Sequence, residues 1–333
     1  MNVRPGTAED IPELSRLYTE CYKRPIVEHA PERHWHWKYF EVPFGAPLVR
    51  VVDDGAGRIV GHLAGIPRPL RRGSQLIPAF TLFDAFVAPD FQGRGLYRTM
   101  LNSVMAILEE QGYRAAFTFP TRTSQQDVWL RHFRWVEPAQ LLFGYRLTMG
   151  QGHAAKKHPE GLQPATIQVI PQDVDGLVDQ SHLRPHVEMA RTGAYLRWRY
   201  ETMPNGNYRL MELRRDGELV GVLVAQVGKR FGMPCAALME LLADETRCPE
   251  AGPVLLNHAL GSLGREGALF VMAIAARGSG TESALARAGY RPVPRAVPRQ
   301  PKVVIKTMGD ASGTPVDLVG APWAFSWGDV DVF

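Results

Sequence analysis

The chain has little cysteine: Cys21, Cys235 and Cys248 are the whole complement, far apart and odd in number. That spacing argues against a disulfide framework and a cysteine-based zinc site, and it fits a reducing, cytoplasmic setting. No stretch reaches the roughly 18 apolar residues of a spanning helix, so no membrane span is expected. The opening residues Met1-Asn2-Val3-Arg4-Pro5 lack the charged-then-apolar layout of a secretory leader. Charge of one sign is not concentrated either. The 38 Lys and Arg against 34 Asp and Glu leave a net +4, a bias toward an anionic ligand such as a nucleotide phosphate. It falls short of the clustered basic stripe of a nucleic-acid binder. His34, His36 and His62 have no carboxylate or cysteine at ligand spacing, so no metal is expected and they read as surface or cleft residues.

What is present is a repeat. His34-Trp35-His36-Trp37-Lys38-Tyr39 recurs as Tyr195-Leu196-Arg197-Trp198-Arg199-Tyr200. Pro43 and Gly45 match Pro204 and Gly206 at the same spacing, and Gly61 matches Gly221 with one residue deleted. Upstream, Asp10-Ile11 and Leu14 match Asp173-Val174 and Leu177. The pattern implies two related domains, and a length of 333 residues with 45% hydrophobic content accommodates both. The expected partition is 1–150 for the first domain and 151–164 for a polar linker. A second domain then covers 165–310, and 311–333 is an aromatic tail docked on both. Trp35, Trp37, Trp198 and Tyr200 read as core anchors, and Arg68, Arg71 and Arg72 as solvated at a hairpin turn.

Local patterns give the first domain a strand at Val3-Arg4, a helix ending near Tyr22 with Ile11, Leu14 and Leu17 on one face, and a short helix at 32–40. Strands at 48–53 and 58–66 flank the turn Asp54-Gly55-Ala56-Gly57. The nearly unbroken apolar run 81–87 reads as a strand buried on both faces. A helix from about Gly95 to Gln111, a strand at 115–119, a helix at 124–132 and a closing strand at 141–147 follow. The second domain repeats this order less clearly. Its strands are expected at 167–170, on both sides of Asp216-Gly217, at 237–242 and at 269–274. Helices are expected at 253–266 and 281–288.

The sharpest chemistry lies where the buried strand ends, in Val87-Ala88-Pro89-Asp90-Phe91-Gln92-Gly93-Arg94-Gly95-Leu96-Tyr97. Two glycines let the backbone approach a ligand, and the first-turn amides of the following helix point at it. Such a nest, with the helix dipole and Arg94, suits a pyrophosphate. The matching position of the second domain, Ala243-Asp244-Glu245-Thr246-Arg247-Cys248-Pro249-Glu250, has no glycine pair and three carboxylates that would repel one.

Val-x-Pro followed by Gln-Gly-Arg-Gly-Leu resembles the acyl-CoA signature Gln/Arg-x-x-Gly-x-Gly/Ala of the GNAT (GCN5-related N-acetyltransferase) superfamily, and the element order of 1–147 is similar to that fold. The Trp segments and tandem layout resemble two-domain bacterial members. The resemblance implies an α/β fold of two tandem domains, each a mostly antiparallel mixed sheet with flanking helices, the second degenerate. It also implies an acyl-CoA-dependent N-acyltransferase, with acetyl-CoA or another acyl-CoA as co-substrate and a small-molecule primary amine as acceptor. The amine would attack directly in a ternary complex. The alternative is a non-catalytic acyl-CoA-binding or interaction protein on the same scaffold. By position, Gln92, Gly93, Arg94, Gly95, Leu96 and Tyr97 would cradle the pyrophosphate, Tyr97 standing where the signature has a small residue. Phe86 and Val87 would pair with the pantetheine arm through their main chain, where the fourth and fifth strands splay. Val87 could also donate its amide to the tetrahedral oxyanion. Asp84, three residues earlier, is the candidate base, with a buried structural acceptor as its other reading. The tyrosine that faces the coenzyme sulfur in many members falls on Leu130, and the frequent asparagine falls on Thr121 or Ser124. In one subgroup the terminal carboxylate enters the site, a role that would fall to Phe333.

Overall fold

The computed structural model describes residues 2–27, 31–120, 123–148, 159–180, 186–230, 232–293, 302–309 and 316–330. The first half builds β1 (Asn2–Pro5), α1 (Ile11–Tyr22), α2 (Pro31–Phe40), β2 (Leu48–Asp53) and β3 (Ile59–Pro67). It continues with β4 (Leu70–Arg72), β5 (Gln75–Ile77), β6 (Ala79–Val87), α3 (Leu96–Glu110), β7 (Ala115–Thr118), α4 (Thr123–Asp127) and β8 (Leu141–Leu147). Helix α1 buries Ile11, Leu14 and Leu17, the face expected from their spacing. Helix α3 buries Leu96, Met100, Leu101, Val104 and Leu108 against the same sheet. After α4 the chain widens into a π-helical turn over Val128–His132, where Phe133 N–H donates to Val128 C=O.

The second half builds β9 (Leu162–Ile167), α5 (Val174–Asp179), β10 (Val187–Met189), α6 (Gly193–Tyr200), β11 (Tyr208–Arg215) and β12 (Glu218–Arg230). β13 (Met233–Ala243), α7 (Ala251–Arg265), β14 (Phe270–Ala276), α8 (Gly280–Arg287), β15 (Arg291–Pro292) and β16 (Val304–Thr307) complete it. Strand β9 begins at Leu162, inside the segment expected as linker, and residues 151–158 of that segment lie outside the described residues.

Two large sheets form, ordered β1-β2-β3-β6-β7-β16 and β15-β8-β14-β13-β12-β11-β9. Each is antiparallel except for one parallel pair, β6/β7 in the first and β13/β14 in the second. Strand β8, expected to close the first sheet, pairs instead with β14 of the second, from Phe270↔Leu147 to Ala276↔Leu141. Reciprocally, β16 from the end of the chain pairs with β7 of the first, from Val304↔Thr118 to Thr307↔Ala115. The two halves exchange their last strands. A strand's local pattern is the same whichever sheet receives it, so sequence periodicity does not distinguish the two arrangements.

The repeat supplies the contact between halves. The rings of Trp37 and Trp198 stack at 4.7 Å and 15°, and Trp37 Nε1 donates to Trp198 O at 3.1 Å. Equivalent residues of the two halves thus meet face to face there. A three-stranded sheet β10-β4-β5 also crosses between the halves. The tail packs into this junction: Leu318, Trp323, Phe325, Trp327 and Val330 are buried. Arg68, expected in solvent, is 3% exposed. It pairs with Asp329 at 3.2 Å, over the ring of Tyr195. His34 and His62, expected at the surface or in a cleft, are buried as well. Both belong to the aromatic packing around Trp35, Trp37 and Tyr39.

Candidate functional site

Strands β6 and β7 pair only from Ala79↔Ala115 to Thr81↔Phe117 and then part. Beyond Thr81 one edge of β6 is open, and a cleft of about 320 Å³ lies beside it, lined by Tyr22, Ala85, Phe86, Val87 and the loop 91–97. Gly93 and Gly95 have φ of +77° and +78°, the left-handed region that glycine enters at little cost. A Cβ at either would meet nothing within 4 Å, so both face open space. Gly95 caps α3, whose first-turn amides therefore open into the cleft.

Neighbouring side chains hold the loop. Gln92 Nε2 donates to Val87 O at 3.1 Å, and Arg94 Nη2 donates to Asp90 O at 2.9 Å. Arg58 binds Asp90 and Glu20, each at 2.9 Å, and with Arg94 it flanks the Phe91 ring. Arg94 and Arg98 have no carboxylate partner among the described residues, leaving cationic charge at the helix start. Tyr97 turns its ring into packing against Trp129 and Phe133, where burial raises its phenol pKa. Its bulk lies inward, so the amide at this position stays available to a ligand.

Ala88 N–H donates to Val60 O. By strand alternation, the main-chain groups of Phe86 then face β3, and those of Ala85 and Val87 face the open edge. The outward-facing main-chain position expected at Phe86 is thus held by Ala85, while Phe86 also lines the cleft. Between His62 and Ala64 the register shifts, so Leu63 faces both Asp84 and Ala85, and Asp84 adopts a φ of +51°. The shift is one residue in length and leaves no compositional mark, which hid Ala85 from the sequence reading.

Asp84 is nearly buried and committed. Its Oδ2 lies 2.6 Å from Lys38 Nζ and accepts the Tyr39 hydroxyl at 2.8 Å. Burial pushes its pKa up, but the charge and hydrogen bond of Lys38 outweigh this and hold it below the ordinary carboxylate value. His62 Nδ1 donates to the Asp84 carbonyl at 2.7 Å. Leu130, at the expected tyrosine position, is partly buried in the apolar core. Thr121 and Phe333 lie outside the described residues. No group of three or more metal-ligating side chains forms among the described residues, and none of their helices is long and apolar enough to cross a membrane.

The second half has the same splay without the cradle. Strands β13 and β14 pair from Cys235↔Phe270 to Ala237↔Met272. Where the first half opens a cleft, the tail segment Ala324–Ser326 lines a residual space of about 40 Å³. After β13, Asp244 Oδ1 accepts the amides of Thr246 and Arg247 at 3.1 and 3.0 Å. The chain's own carboxylate occupies the amides that an anion would need. Gly61 pairs with Val87 and its repeat partner Gly221 with Ala243, which makes Glu240 the counterpart of Asp84. Tyr200 donates to Glu240 at 2.8 Å, just as Tyr39 donates to Asp84. Arg191 Nε completes the pair at 2.7 Å.

Residues 2–125 match the family described as acetyltransferase (GNAT) domain. No curated protein matches the chain. Among solved structures, a GCN5-related N-acetyltransferase from Anabaena variabilis aligns over 92% of this chain and 72% of its own, at 12% identity and a TM-score of 0.65. One from Kribbella flavida aligns over 92% and 71%, at 14% identity and 0.65. A tandem GNAT protein from the clavulanic acid biosynthesis pathway aligns over 91% and 97%, at 16% identity and 0.60. Residues 2–125 are thus a GNAT domain, and the chain as a whole has the tandem GNAT fold.

Proposed function

We propose that the protein is an acyl-CoA-dependent N-acyltransferase, with acetyl-CoA as the first candidate donor and a small-molecule primary amine as acceptor. The observation that carries this reading is the union, in one half only, of an amide-lined glycine loop with an open strand edge. The loop Gln92–Tyr97 offers backbone N–H groups, with Arg94 beside them, to the coenzyme pyrophosphate. The outward-facing Val87 amide and Ala85 carbonyl can pair with a pantetheine arm, which would lie along β6 as an added strand, while the Val87 carbonyl is held by Gln92 Nε2. The thioester carbonyl then falls beside the bulge at Asp84 and Ala85, where a free amide stabilises the developing oxyanion.

The acceptor amine attacks the thioester carbon directly, in a complex holding both substrates. Asp84 is assigned to holding the bulge rather than to taking the proton. Its carboxylate is already bound by Lys38 and Tyr39, and the same tyrosine–carboxylate pair recurs at Glu240 in the half without a glycine loop. Tyr22, on the cleft wall, is the candidate donor of a proton to the departing thiolate. A second reading, coenzyme binding without transfer, is favoured by one observation: Leu130 stands at the usual tyrosine position.

Calorimetry with acetyl-CoA and a thiol-release assay across a panel of amines test the proposal. One site per chain with amine-dependent thiol release is expected. Two equivalent sites would refute the assignment of the cleft, and binding without release across the panel would leave the second reading.

A further inference from the structure

We infer that His62 is the positioning residue of the oxyanion donor: by holding the Asp84 carbonyl it sets the Ala85 N–H toward the reacting thioester. The inference rests on the acyltransferase reading and adds to it a residue that touches neither substrate.

The geometry follows from one planar peptide. No cis bond occurs among the described residues, so the carbonyl of Asp84 and the N–H of Ala85 point in opposite directions. The carbonyl points to His62 Nδ1, 2.7 Å away on β3. The N–H must therefore point away from β3, to the side where Ala85 lines the cleft. In a regular ladder the carbonyl would be tied by a backbone amide. Here the bulge removes it from the ladder, and the imidazole takes it over. Asp84 has a φ of +51°, a conformation unfavourable for a residue with a side chain that persists only when its surroundings impose it.

His62 is built for this task. A carbonyl oxygen can only accept, so the proton sits on Nδ1 and the tautomer is fixed. The ring is fully buried, stacked on Phe86 at 4.8 Å and flanked by Trp35 and Tyr39. Its Nε2 has no hydrogen-bond partner among the described residues. Burial lowers its pKa to about 4, keeping the ring neutral at working pH. In the reaction the amine lone pair forms the C–N bond and the carbonyl π pair moves to oxygen, which accepts the Ala85 N–H. As the oxyanion collapses, the C–S bond breaks with its pair going to sulfur. The nitrogen gives up its proton to solvent water, and the thiolate takes one from the Tyr22 hydroxyl, which solvent reprotonates.

Two substitutions of similar size separate positioning from packing. In His62→Asn the amide nitrogen overlays Nδ1 and can still donate to Asp84 O. In His62→Gln it overlays Nε2 and cannot. Turnover of acetyl-CoA is expected to fall at least tenfold in kcat for H62Q, with KM for acetyl-CoA unchanged, and to stay within about threefold of wild type for H62N. Infrared spectra of bound acetyl-CoA, labelled at the thioester carbonyl, give a readout that does not require transfer. The carbonyl band should shift to lower frequency in wild type and H62N and lose that shift in H62Q. Equal behaviour of the two variants in the infrared would overturn the role of His62, whatever the turnover. A wild-type protein that shifts the band yet acylates no amine would instead sink the acyltransferase reading and leave the positioning role standing.

Discussion

The Lys38–Asp84 pair offers the most discriminating perturbation. Its partners lie 2.6 Å apart with side chains 6% and 13% exposed. At an effective dielectric of about 20, Coulomb attraction at that distance is about 6 kcal/mol, most of which offsets the desolvation of two buried charges. The net value of the pair is therefore small, whereas removing one partner strands the other. Asp84→Asn leaves a buried ammonium and should cost about 3–5 kcal/mol; Lys38→Met leaves a buried carboxylate at a similar cost. The double variant K38M/D84N strands neither, so it should recover at least about 2 kcal/mol relative to the sum of the single losses. Urea unfolding followed by tryptophan fluorescence measures the cycle, with Trp35 and Trp37 on the same helix as Lys38. If Asp84 only holds the bulge, the double variant should regain most of the turnover lost in D84N. A coupling below about 1 kcal/mol would refute the electrostatic argument. A stable double variant without turnover, and without the acid limb of the wild-type pH profile, would return Asp84 to the role of base.

Tyr22→Phe should lower kcat with little change in acetyl-CoA affinity and remove the high-pH limb of the rate profile; an unchanged limb excludes Tyr22 as acid. Arg94→Ala should weaken acetyl-CoA binding several-fold and flatten its salt dependence by calorimetry. Gly95→Val should weaken it more, because the amide cradle loses its left-handed turn. His34 and His62 have folded pKa values lowered by burial to about 3 and about 4, below the ordinary 6.5. The unfolded chain then binds the extra protons, so stability should rise with pH between about 4 and 6.5 and fade as pH drops through that window. The slope is up to about 1.4 kcal/mol per pH unit for each histidine. Denaturant midpoints across the window measure it, and H62N should remove one proton from the slope. Expressed alone, residues 1–150 should not give a folded monomer, since β7 lacks β16 and β8 lacks β14. A compact, cooperatively unfolding monomer by sedimentation and calorimetry would contradict the exchange.

Much of the site was legible because its chemistry is local. Gly93 and Gly95 are needed for their own backbone angles, and the repeat announced itself through Trp37 and Trp198, whose spacing survives. What escaped has non-local causes. The partner of β8 depends on where a strand from 304–307 comes to rest, and no pattern in 141–147 records that. The bulge at Asp84 changes the pairing of Ala85 without changing the alternation of apolar residues. Arg68 reads as a surface charge until Asp329, from the far end of the chain, arrives to bury it. The π-helical turn at Val128–His132 changes the residue count per turn, so spacing measured along an ideal α-helix does not fix which side chain there faces the cleft.

The exchanged strands also set a timetable for synthesis. The residues that line the cleft beside β6 leave the ribosome early, but the strand that completes β7's free edge is made only after the whole second sheet. At about 5–20 residues per second, the edge of β7 would stand unpaired for roughly 10–40 s while the second half is translated. An open strand edge invites pairing with other chains, so the nascent first half is the stage most exposed to misassociation. A tandem chain with swapped ends matures as one product, its earliest-made part waiting on its latest.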